Sequence, residues 1–432
     1  MASPAVQRVS LAPARERPAA PAALDTRGAR VVLGTPGAAR PQGTPAVPIV
    51  PARDTLFGPR GMAVAADGSL WVADTGHHRL LGWAQLPGAD DMPADWQLGQ
   101  PDFGTEGRNG RGPVTAASLN VPTGVCAIGE GLAVADAWNH RVLIWHHPPR
   151  AARPADLVLG QQDFGGGAIN RGAALPAADT LYWPYGVYWD GDCLWVADTG
   201  NRRVLRWSGR PASCGQPADL VLGQPDFVHR DENAGGPGWG SLRWPHALAH
   251  WRGQLCVADA GNNRVLLWPP SASHAATGAH ALPIPAADTP RGGQAGAGAL
   301  LGQADEYTLD HNRGQYWPSA HSLNMPYGLA VHRDRLLVAD TANSRILRFE
   351  APPGTDEHAY GPTAAGPGRA DAPAPDATAV AGQPSFADKG DNRWQPPARD
   401  SLCWPYALAV HDNSCLVADS GNNRVLVWDL AP

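Results

Sequence analysis

The chain has 432 residues, of which 43% are hydrophobic and 17% charged, and its formal net charge is −6. A chain of this size and composition can bury a large core, and 17 tryptophans among 50 glycines and 43 prolines favour many short strands joined by turns over a disordered chain. The acidic balance weighs against a nucleic acid held through its phosphates, and no apolar run reaches the roughly 18 residues that a membrane span needs.

The N-terminal 28 residues are rich in Ala, Pro and Arg, which predicts a disordered tail. They lack the apolar stretch of a secretory signal, so we expect a cytoplasmic protein. The six cysteines form no C-x-x-C pair, and we interpret them as free thiols buried in strands rather than as disulfides. Residues 30–36, "RVVLGTP", form an isolated predicted strand that precedes the first repeat.

From there to its end the chain repeats one pattern six times at uneven spacing, which insertions would explain. Each copy opens with Pro-x-Gly or Pro-x-Ala, predicted as a strand that begins at the proline. The tripeptide Val-Ala-Asp then ends a second strand, and a turn rich in Gly and Asn leads into a third strand, which predicts a hairpin. That third strand ends in an aromatic residue, for which we expect packing between neighbouring units: Trp83, Trp145, Trp207, Trp268, Phe349 and Trp428.

A Leu-Gly-Gln or Ala-Gly-Gln segment marks a fourth strand in five of the six copies. Four short antiparallel strands repeated six times predict an all-β, six-bladed β-propeller, because one blade cannot bury both of its faces alone. The last copy stops after its third strand, so we expect residues 30–36 to complete it by pairing with residues 424–428. The propeller then spans residues 29–432, with flexible Ala/Pro/Gly-rich insertions at about 269–299 and 351–379.

The elements "PxG", "VAD" and "GNNR" resemble the NHL-repeat propellers, and the resemblance covers the chain from about residue 29 to its end. It implies the six-bladed fold. It does not imply one function, because NHL propellers include scaffolds, sensors, RNA binders and a lyase.

Each Val-Ala-Asp aspartate is followed five residues later by an arginine at the start of the returning strand, which predicts an Asp–Arg pair across every hairpin. All six copies are alike, so we interpret the pairs as structural rather than as a ring of ligand-binding charges. If partly exposed, each would contribute about 1 kcal/mol, and the loss of one would not unfold the ring. The pairs are Asp74 with Arg79, Asp136 with Arg141, Asp198 with Arg203, Asp259 with Arg264, Asp340 with Arg345, and Asp419 with Arg424.

The residue after the opening proline differs between copies, as a single binding site in a pseudo-symmetric ring requires. We expect these residues at the mouth of the central channel, on the rim that also carries the hairpin turns and the long connections between blades. One cation, one histidine and three phenols suit an anionic or aromatic group or a partner's loop; the alternative is that they only fill the pore. The candidates are Arg60, Thr123, Tyr185, His246, Tyr327 and Tyr406.

Two further features concern this rim and the channel. The connections carry Asn/Gly signatures at residues 109–112, 170–172, 232–236, 312–314 and 391–393, which indicate either function or turns that lock the loops. Small residues alternate along the first strands, and Tyr188 and Cys126 interrupt them, so Tyr188 is expected to narrow the channel.

These patterns favour a non-enzymatic scaffold that binds a protein or peptide partner of unknown identity on this rim, as a monomer and without metal or cofactor. The first alternative is an enzyme, a lyase or hydrolase, at the channel mouth. The lyase branch of the family works at a histidine-bound zinc, but His246 and His250 are separated by about 13 Å along one strand, so the zinc is not carried over. The second alternative is RNA binding through a patch formed by Arg60, Arg111, Arg171, Arg313 and Arg393.

Overall fold

The computed structural model describes residues 17–34, 50–269, 296–350 and 375–432. Within them, 24 strands form six sheets, each of four antiparallel strands, and this is the predicted six-bladed β-propeller. The predicted insertions lie largely outside the described residues, at 270–295 and 351–374. Their described ends, 296–299 and 375–379, run into fourth strands, and Ala297 and Ala377 are buried there.

The strands follow the repeats in chain order. Blade 1 contains β2 (Gly61–Val64), β3 (Leu70–Asp74), β4 (Arg79–Trp83) and β5 (Trp96–Leu98). Blade 2 contains β6 (Pro122–Ile128), β7 (Gly131–Asp136), β8 (Arg141–Trp145) and β9 (Leu157–Leu159). Blade 3 contains β10 (Pro184–Trp189), β11 (Cys193–Asp198), β12 (Arg203–Ser208) and β13 (Leu220–Leu222). Blade 4 contains β14 (Pro245–Trp251), β15 (Gln254–Asp259), β16 (Arg264–Trp268) and β17 (Ala299–Leu301). Blade 5 contains β18 (Pro326–His332), β19 (Arg335–Asp340), β20 (Arg345–Phe349) and β21 (Ala379–Ala381).

Blade 6 takes its outer strand from the start of the chain. It contains β22 (Pro405–His411), β23 (Ser414–Asp419), β24 (Arg424–Asp429) and β1 (Val31–Leu33). Val31 pairs with Val427, and Leu33 pairs with Val425. The predicted closure of the ring is therefore confirmed, although residues 35 and 36 of the predicted strand lie outside the described part.

The N-terminal segment is ordered over a longer stretch than the sequence predicted. Ala23 and Leu24 are buried, and the backbone bridges Val380 of blade 5 and Leu430 after blade 6. The prediction of disorder for residues 1–28 is thus wrong for residues 17–28, because short apolar residues in this Ala/Pro-rich segment pack against two blades; residues 1–16 lie outside the described part.

Apolar side chains form six clusters, and each cluster joins two neighbouring blades. Trp207 of blade 3, for example, packs with Ile144 and Leu157 of blade 2. All six aromatic residues that end the third strands are at most 2% exposed, which confirms the predicted packing between blades. Burial of such large apolar side chains is the main source of stability in a ring of this kind.

Small residues allow the innermost strands to approach closely around the axis. A Cβ atom added at Gly186 would lie 1.8 Å from the carbonyl oxygen of His246, and one at Gly61 would lie 1.9 Å from that of Thr123. No side chain fits at such distances, so glycine is required at these two positions, whereas the equivalent positions of blades 4 and 6 accommodate Ala247 and Ala407.

The Asp–Arg pairs form in every blade, and their side chains are at most 6% exposed. In blade 3, Arg203 Nε donates to Asp198 Oδ2 at 2.8 Å, and its two terminal nitrogens donate to three carbonyl oxygens, of Phe227, Ala177 and Thr180. The pairs are buried, so the condition of partial exposure, under which each would contribute about 1 kcal/mol, is not met. The arginine lies beneath the connections before and after its blade, and its donors satisfy their backbone.

The prediction of thiols buried in strands holds fully for two of the six cysteines. All six are free; Cys256 and Cys415 are buried, and Cys126, Cys193 and Cys403 are partly buried. Cys214 is exposed, because it lies in a turn between the third and fourth strands of blade 3 rather than in a strand.

Candidate functional site

Five of the six candidate residues lie at an irregularity of the first strands, and Arg60 directly precedes the first strand of blade 1. In blade 3, Pro184 pairs with Asp198 and Gly186 with Ala197, so Tyr185 between them has no partner in the ladder. Tyr327 and Tyr406 occupy the same position in blades 5 and 6. Bulges of this kind redirect a side chain away from the sheet, and here they direct the phenols into the channel.

Four aromatic rings from four blades contact one another at this end of the channel. His246 lies 5.0 Å from Tyr185, 4.3 Å from Tyr327 and 5.9 Å from Tyr406, measured between ring centroids. The rings of Tyr327 and Tyr406 are 4.6 Å apart, and the Arg60 guanidinium carbon lies 4.9 Å above the Tyr406 ring. We call these five residues the mouth cluster. Their edge-to-face and cation–π contacts hold the side chains in place across the channel.

Burial fixes the protonation states in the mouth cluster. It lowers the pKa of His246 to about 3, with a further contribution from the Arg60 charge, so this imidazole is neutral at neutral pH. Burial also raises the pKa of Tyr327 to about 12 and raises that of Tyr406. The cluster therefore offers neutral phenols and a neutral imidazole beside one permanent cation.

The structure does not bring Thr123 into the mouth cluster. Thr123 is fully buried, and its hydroxyl donates to the carbonyl oxygen of Pro184 at 3.3 Å. The short side chain satisfies its hydroxyl on the neighbouring blade instead of reaching the channel.

Behind the mouth cluster lies a cavity of about 340 Å³, lined by first-strand residues of all six blades. Most of the lining is small or aliphatic, and Tyr188 and Cys126 project into it, as the sequence predicted for the channel. The Tyr188 hydroxyl accepts a hydrogen bond from the backbone N–H of His250 at 3.1 Å. Burial raises the pKa of the Cys126 thiol to about 12, so it is not a ready nucleophile.

Three exposed tryptophans lie two residues before members of the mouth cluster along the chain, and the sequence patterns above did not single them out. Trp183, Trp244 and Trp404 directly precede the opening prolines and are 36%, 40% and 41% exposed. We call these three residues the tryptophan rim. The available signal was the recurrence of "WP" in three of the six copies, in a place where the other copies carry Gly, Val and Met.

Hydrogen bonds between blades hold the backbone of this rim. Trp183 and Trp404 adopt left-handed φ angles of 48° and 52°, which a bulky residue rarely adopts. The N–H of Trp183 donates to His140 Nδ1 at 3.1 Å, and that of Trp404 donates to Ser344 Oγ at 3.3 Å. Trp138 adds a further exposed ring, 6.5 Å from that of Trp183.

The Asn/Gly signatures of the long connections serve as turn locks. Asn170 has a left-handed φ of 47°, and its side-chain amide exchanges two hydrogen bonds, of 2.9 and 3.0 Å, with that of Asn201 in the hairpin turn. Asn201 also donates to Asp198 at 2.8 Å. Equivalent asparagine contacts occur at the other four connections, which confirms that hairpin turns and connections share one rim.

The histidines of the first strands lie at different ends of the channel. His250 Nδ1 lies 3.8 Å from the Asp190 carboxylate near the other end of the channel, where β18 and β22 also end at His332 and His411. Among the residues that the structure describes, no group of three or more His, Cys, Asp or Glu side chains is arranged to hold a metal ion.

A family model described as "NHL repeat" matches residues 58–83, which span the first three strands of blade 1. No curated protein matches the chain. Among solved structures, the chain is similar to a streptogramin B lyase, with 12% identity, 90% of this chain and 85% of that chain covered, and a TM-score of 0.39. It is also similar to virginiamycin B lyase from Staphylococcus aureus (11% identity, 88% and 98% covered, TM-score 0.41) and to a protein of unknown function from Bacteroides thetaiotaomicron (12%, 88% and 71%, 0.45). Similarities at this level assign no function.

Proposed function

Because the chain is an NHL-repeat six-bladed β-propeller, we propose that it is a non-enzymatic interaction scaffold, which binds a protein or peptide partner on the rim that bears the channel mouth. The main support is the tryptophan rim, whose partly exposed rings belong to the residues that precede the opening prolines at the channel mouth. Tryptophan, tyrosine and arginine are the residues that most often dominate binding energy at protein interfaces.

The rigidity of the tryptophan rim supports this function. A side chain that is already fixed before binding loses little conformational entropy when a partner covers it. Trp183 and Trp404 are held by backbone hydrogen bonds to the preceding blade, and Trp183 also lies against Tyr182, with ring centroids 4.6 Å apart. The mouth cluster is similarly held by contacts among its own rings.

RNA binding receives less support from the arginines of the same rim. Arg171 pairs with Asp179 at 2.5 Å, and Arg393 pairs with Asp400 at 2.9 Å. Arg111 donates to the carbonyl oxygen of Glu106, and Arg313 donates to that of Gln303. Guanidinium groups neutralised by aspartates or committed to backbone carbonyls are poorly placed to collect phosphates.

The enzyme alternative concerns the same mouth. It would use the neutral His246 and the phenols as its polar groups, and no described contact singles out one of them as a base or nucleophile. A cytoplasmic location and a monomeric state stay predictions; none of the described helices is long and apolar enough to span a membrane.

Substitution of two residues of the tryptophan rim tests the proposal. We expect the Trp183→Ser/Trp404→Ser double variant to lose its specific partner by at least about tenfold in quantitative co-purification from the native cell, because two interface anchors are removed. The matched control is Trp394→Ser, which removes a more exposed tryptophan, 72% exposed, from the connection before blade 6. An unchanged set of co-purifying proteins in the double variant, with its thermal melting intact, would reject this face.

A further inference from the structure

The charge of the channel mouth is unbalanced. Arg60 is the one charged side chain among the described residues that line the cavity, and none of them carries a carboxylate. Arg60 forms no ion pair within the described part of the chain; its guanidinium instead lies over the Tyr406 ring. Most other buried or partly buried arginines of this protein have aspartate or glutamate partners. An arginine without a counter-ion in an aromatic pocket is suited to bind an anion.

A second polar group in the same place also lacks a partner. His246 is 7% exposed, and its Nδ1 atom has no hydrogen-bond partner among the described residues. A buried ring nitrogen without a partner is costly, and such atoms usually have an explanation, a ligand among them. The neutral imidazole can carry its hydrogen on Nδ1, and the protonated phenols of Tyr327 and Tyr406 add hydroxyl donors nearby.

The shape of the mouth selects the kind of anion. Its walls are aromatic rings, the cavity behind it is about 340 Å³, and most of the remaining side chains that line it are small or aliphatic. A planar carboxylate accepts two hydrogen bonds from a guanidinium, whereas a nucleic-acid backbone would bring several phosphates to a surface that has one unpaired cation here.

We propose that the partner inserts a peptide carboxylate, from an Asp or Glu side chain or from its C-terminus, into the channel mouth, where Arg60 binds it and His246 and the tyrosines donate to it. This inference rests on the proposed function, since it names the group that the scaffold recognises. The tryptophan rim then contacts the residues that flank the carboxylate.

The test uses matched pairs of small peptides on the purified full chain, measured by titration calorimetry and ligand-observed NMR. N-acetyl-phenylalanine carries a terminal carboxylate, and its amide does not. N-acetyl-glutamic acid α-amide carries a side-chain carboxylate, and the glutamine analogue does not. We expect at least one acid to bind about tenfold or more tightly than its neutral counterpart, and which acid binds identifies the source of the carboxylate.

The Arg60→Gln variant should lose this preference for the acid, whereas Arg111→Gln, on the same rim, should keep it. Equal binding of acid and amide, no binding of either acid, or an unchanged preference in Arg60→Gln would overturn the inference. Competition by inorganic phosphate at equal strength would also overturn it, in favour of a phosphate ligand. None of these results depends on the co-purification test of the tryptophan rim, so the two proposals fail separately.

Discussion

The residue that follows each hairpin turn connects its blade to the next one. In five of the six copies its side chain accepts the backbone N–H of the residue before the next blade's opening proline, at 2.8 to 3.3 Å. The acceptors differ in chemistry: His78, His140, Asn263, Ser344 and Asn423. Arg202 occupies the sixth position and has no acceptor atom; there, Trp244 donates to Asp259 instead and lacks the left-handed φ.

The two histidine acceptors predict a pH dependence of stability. Burial lowers the pKa of His140 from its ordinary value of 6.5 to about 4, and it also lowers the pKa of His78. Between these values the unfolded chain binds more protons than the folded chain, so the free energy of unfolding decreases as the pH falls below about 6.5. We expect His140 to account for roughly 1 to 2 kcal/mol of this decrease between about pH 7 and pH 5.

A His78→Asn/His140→Asn variant separates titration from hydrogen bonding. Asn263 and Asn423 accept the equivalent hydrogen bond at 2.9 and 2.8 Å, so asparagine should preserve the contact without titrating. Urea unfolding at several pH values should show wild-type stability at pH 7 and a smaller loss at pH 5. A loss as large as that of the wild type would contradict the assignment.

The hairpin between the second and third strands is the element that organises each blade. Its aspartate accepts from the loop backbone, from the turn asparagine and from the arginine, as Asp198 does from Tyr182, Asn201 and Arg203. The arginine then donates to carbonyls of both flanking connections. The pair is therefore a connector between a hairpin and two loops rather than a surface ion pair.

The Arg203→Leu change tests this role. It leaves the carboxylate of Asp198 buried without its counter-ion and frees three buried carbonyls, so we expect a loss of about 3 to 5 kcal/mol in the free energy of unfolding. The control is Arg150→Ala, which removes an exposed pair with Asp67 at 3.3 Å and should cost less than about 1 kcal/mol. Equal effects of the two changes in urea unfolding would refute the connector role.

At the scale of the whole molecule, the ring depends on one short strand at the start of the chain. β1 completes blade 6, and Leu33 belongs to the apolar cluster between blades 6 and 1. Upstream residues add to the closure, since Trp428 Nε1 donates to the carbonyl oxygen of Asp25 at 2.7 Å. Each blade is stabilised only by its neighbours, so the loss of one contact between blades exposes two faces.

Leu33→Asp should therefore destabilise the entire ring. A buried charge without a partner replaces a fully buried leucine, and we expect a loss of at least about 3 kcal/mol, with an earlier midpoint in urea unfolding. Arg30→Ala is the control, because Arg30 precedes the same strand but its ion pair with Asp429 is about 40% exposed on both sides. Similar midpoints for Leu33→Asp and the wild type would contradict closure through β1.

The sequence by itself determined the number of blades, the four strands of each, the closing strand and the six Asp–Arg pairs. These features depend on residues that are close together in the sequence, and the same residues recur at fixed spacing in each copy. It also placed Tyr185, His246, Tyr327 and Tyr406 on one rim. Each directly follows the opening proline of its copy, and that proline marks the same end of the first strand in every blade.

Only the tertiary structure decided which of these residues meet. Thr123 has the same offset as Tyr185 but is fully buried against the next blade. The sequence predicted the Asp–Arg pairs, and the structure shows that they are buried beneath the loops. Other blades likewise decide three further features: the left-handed backbone of Trp183, the lack of a described hydrogen-bond partner for His246 Nδ1, and the lack of a described ion pair for Arg60. Local patterns fix strands and turns, whereas burial and the partners of a charge are set by residues from about 20 to more than 60 positions away, which a repeat period alone does not specify.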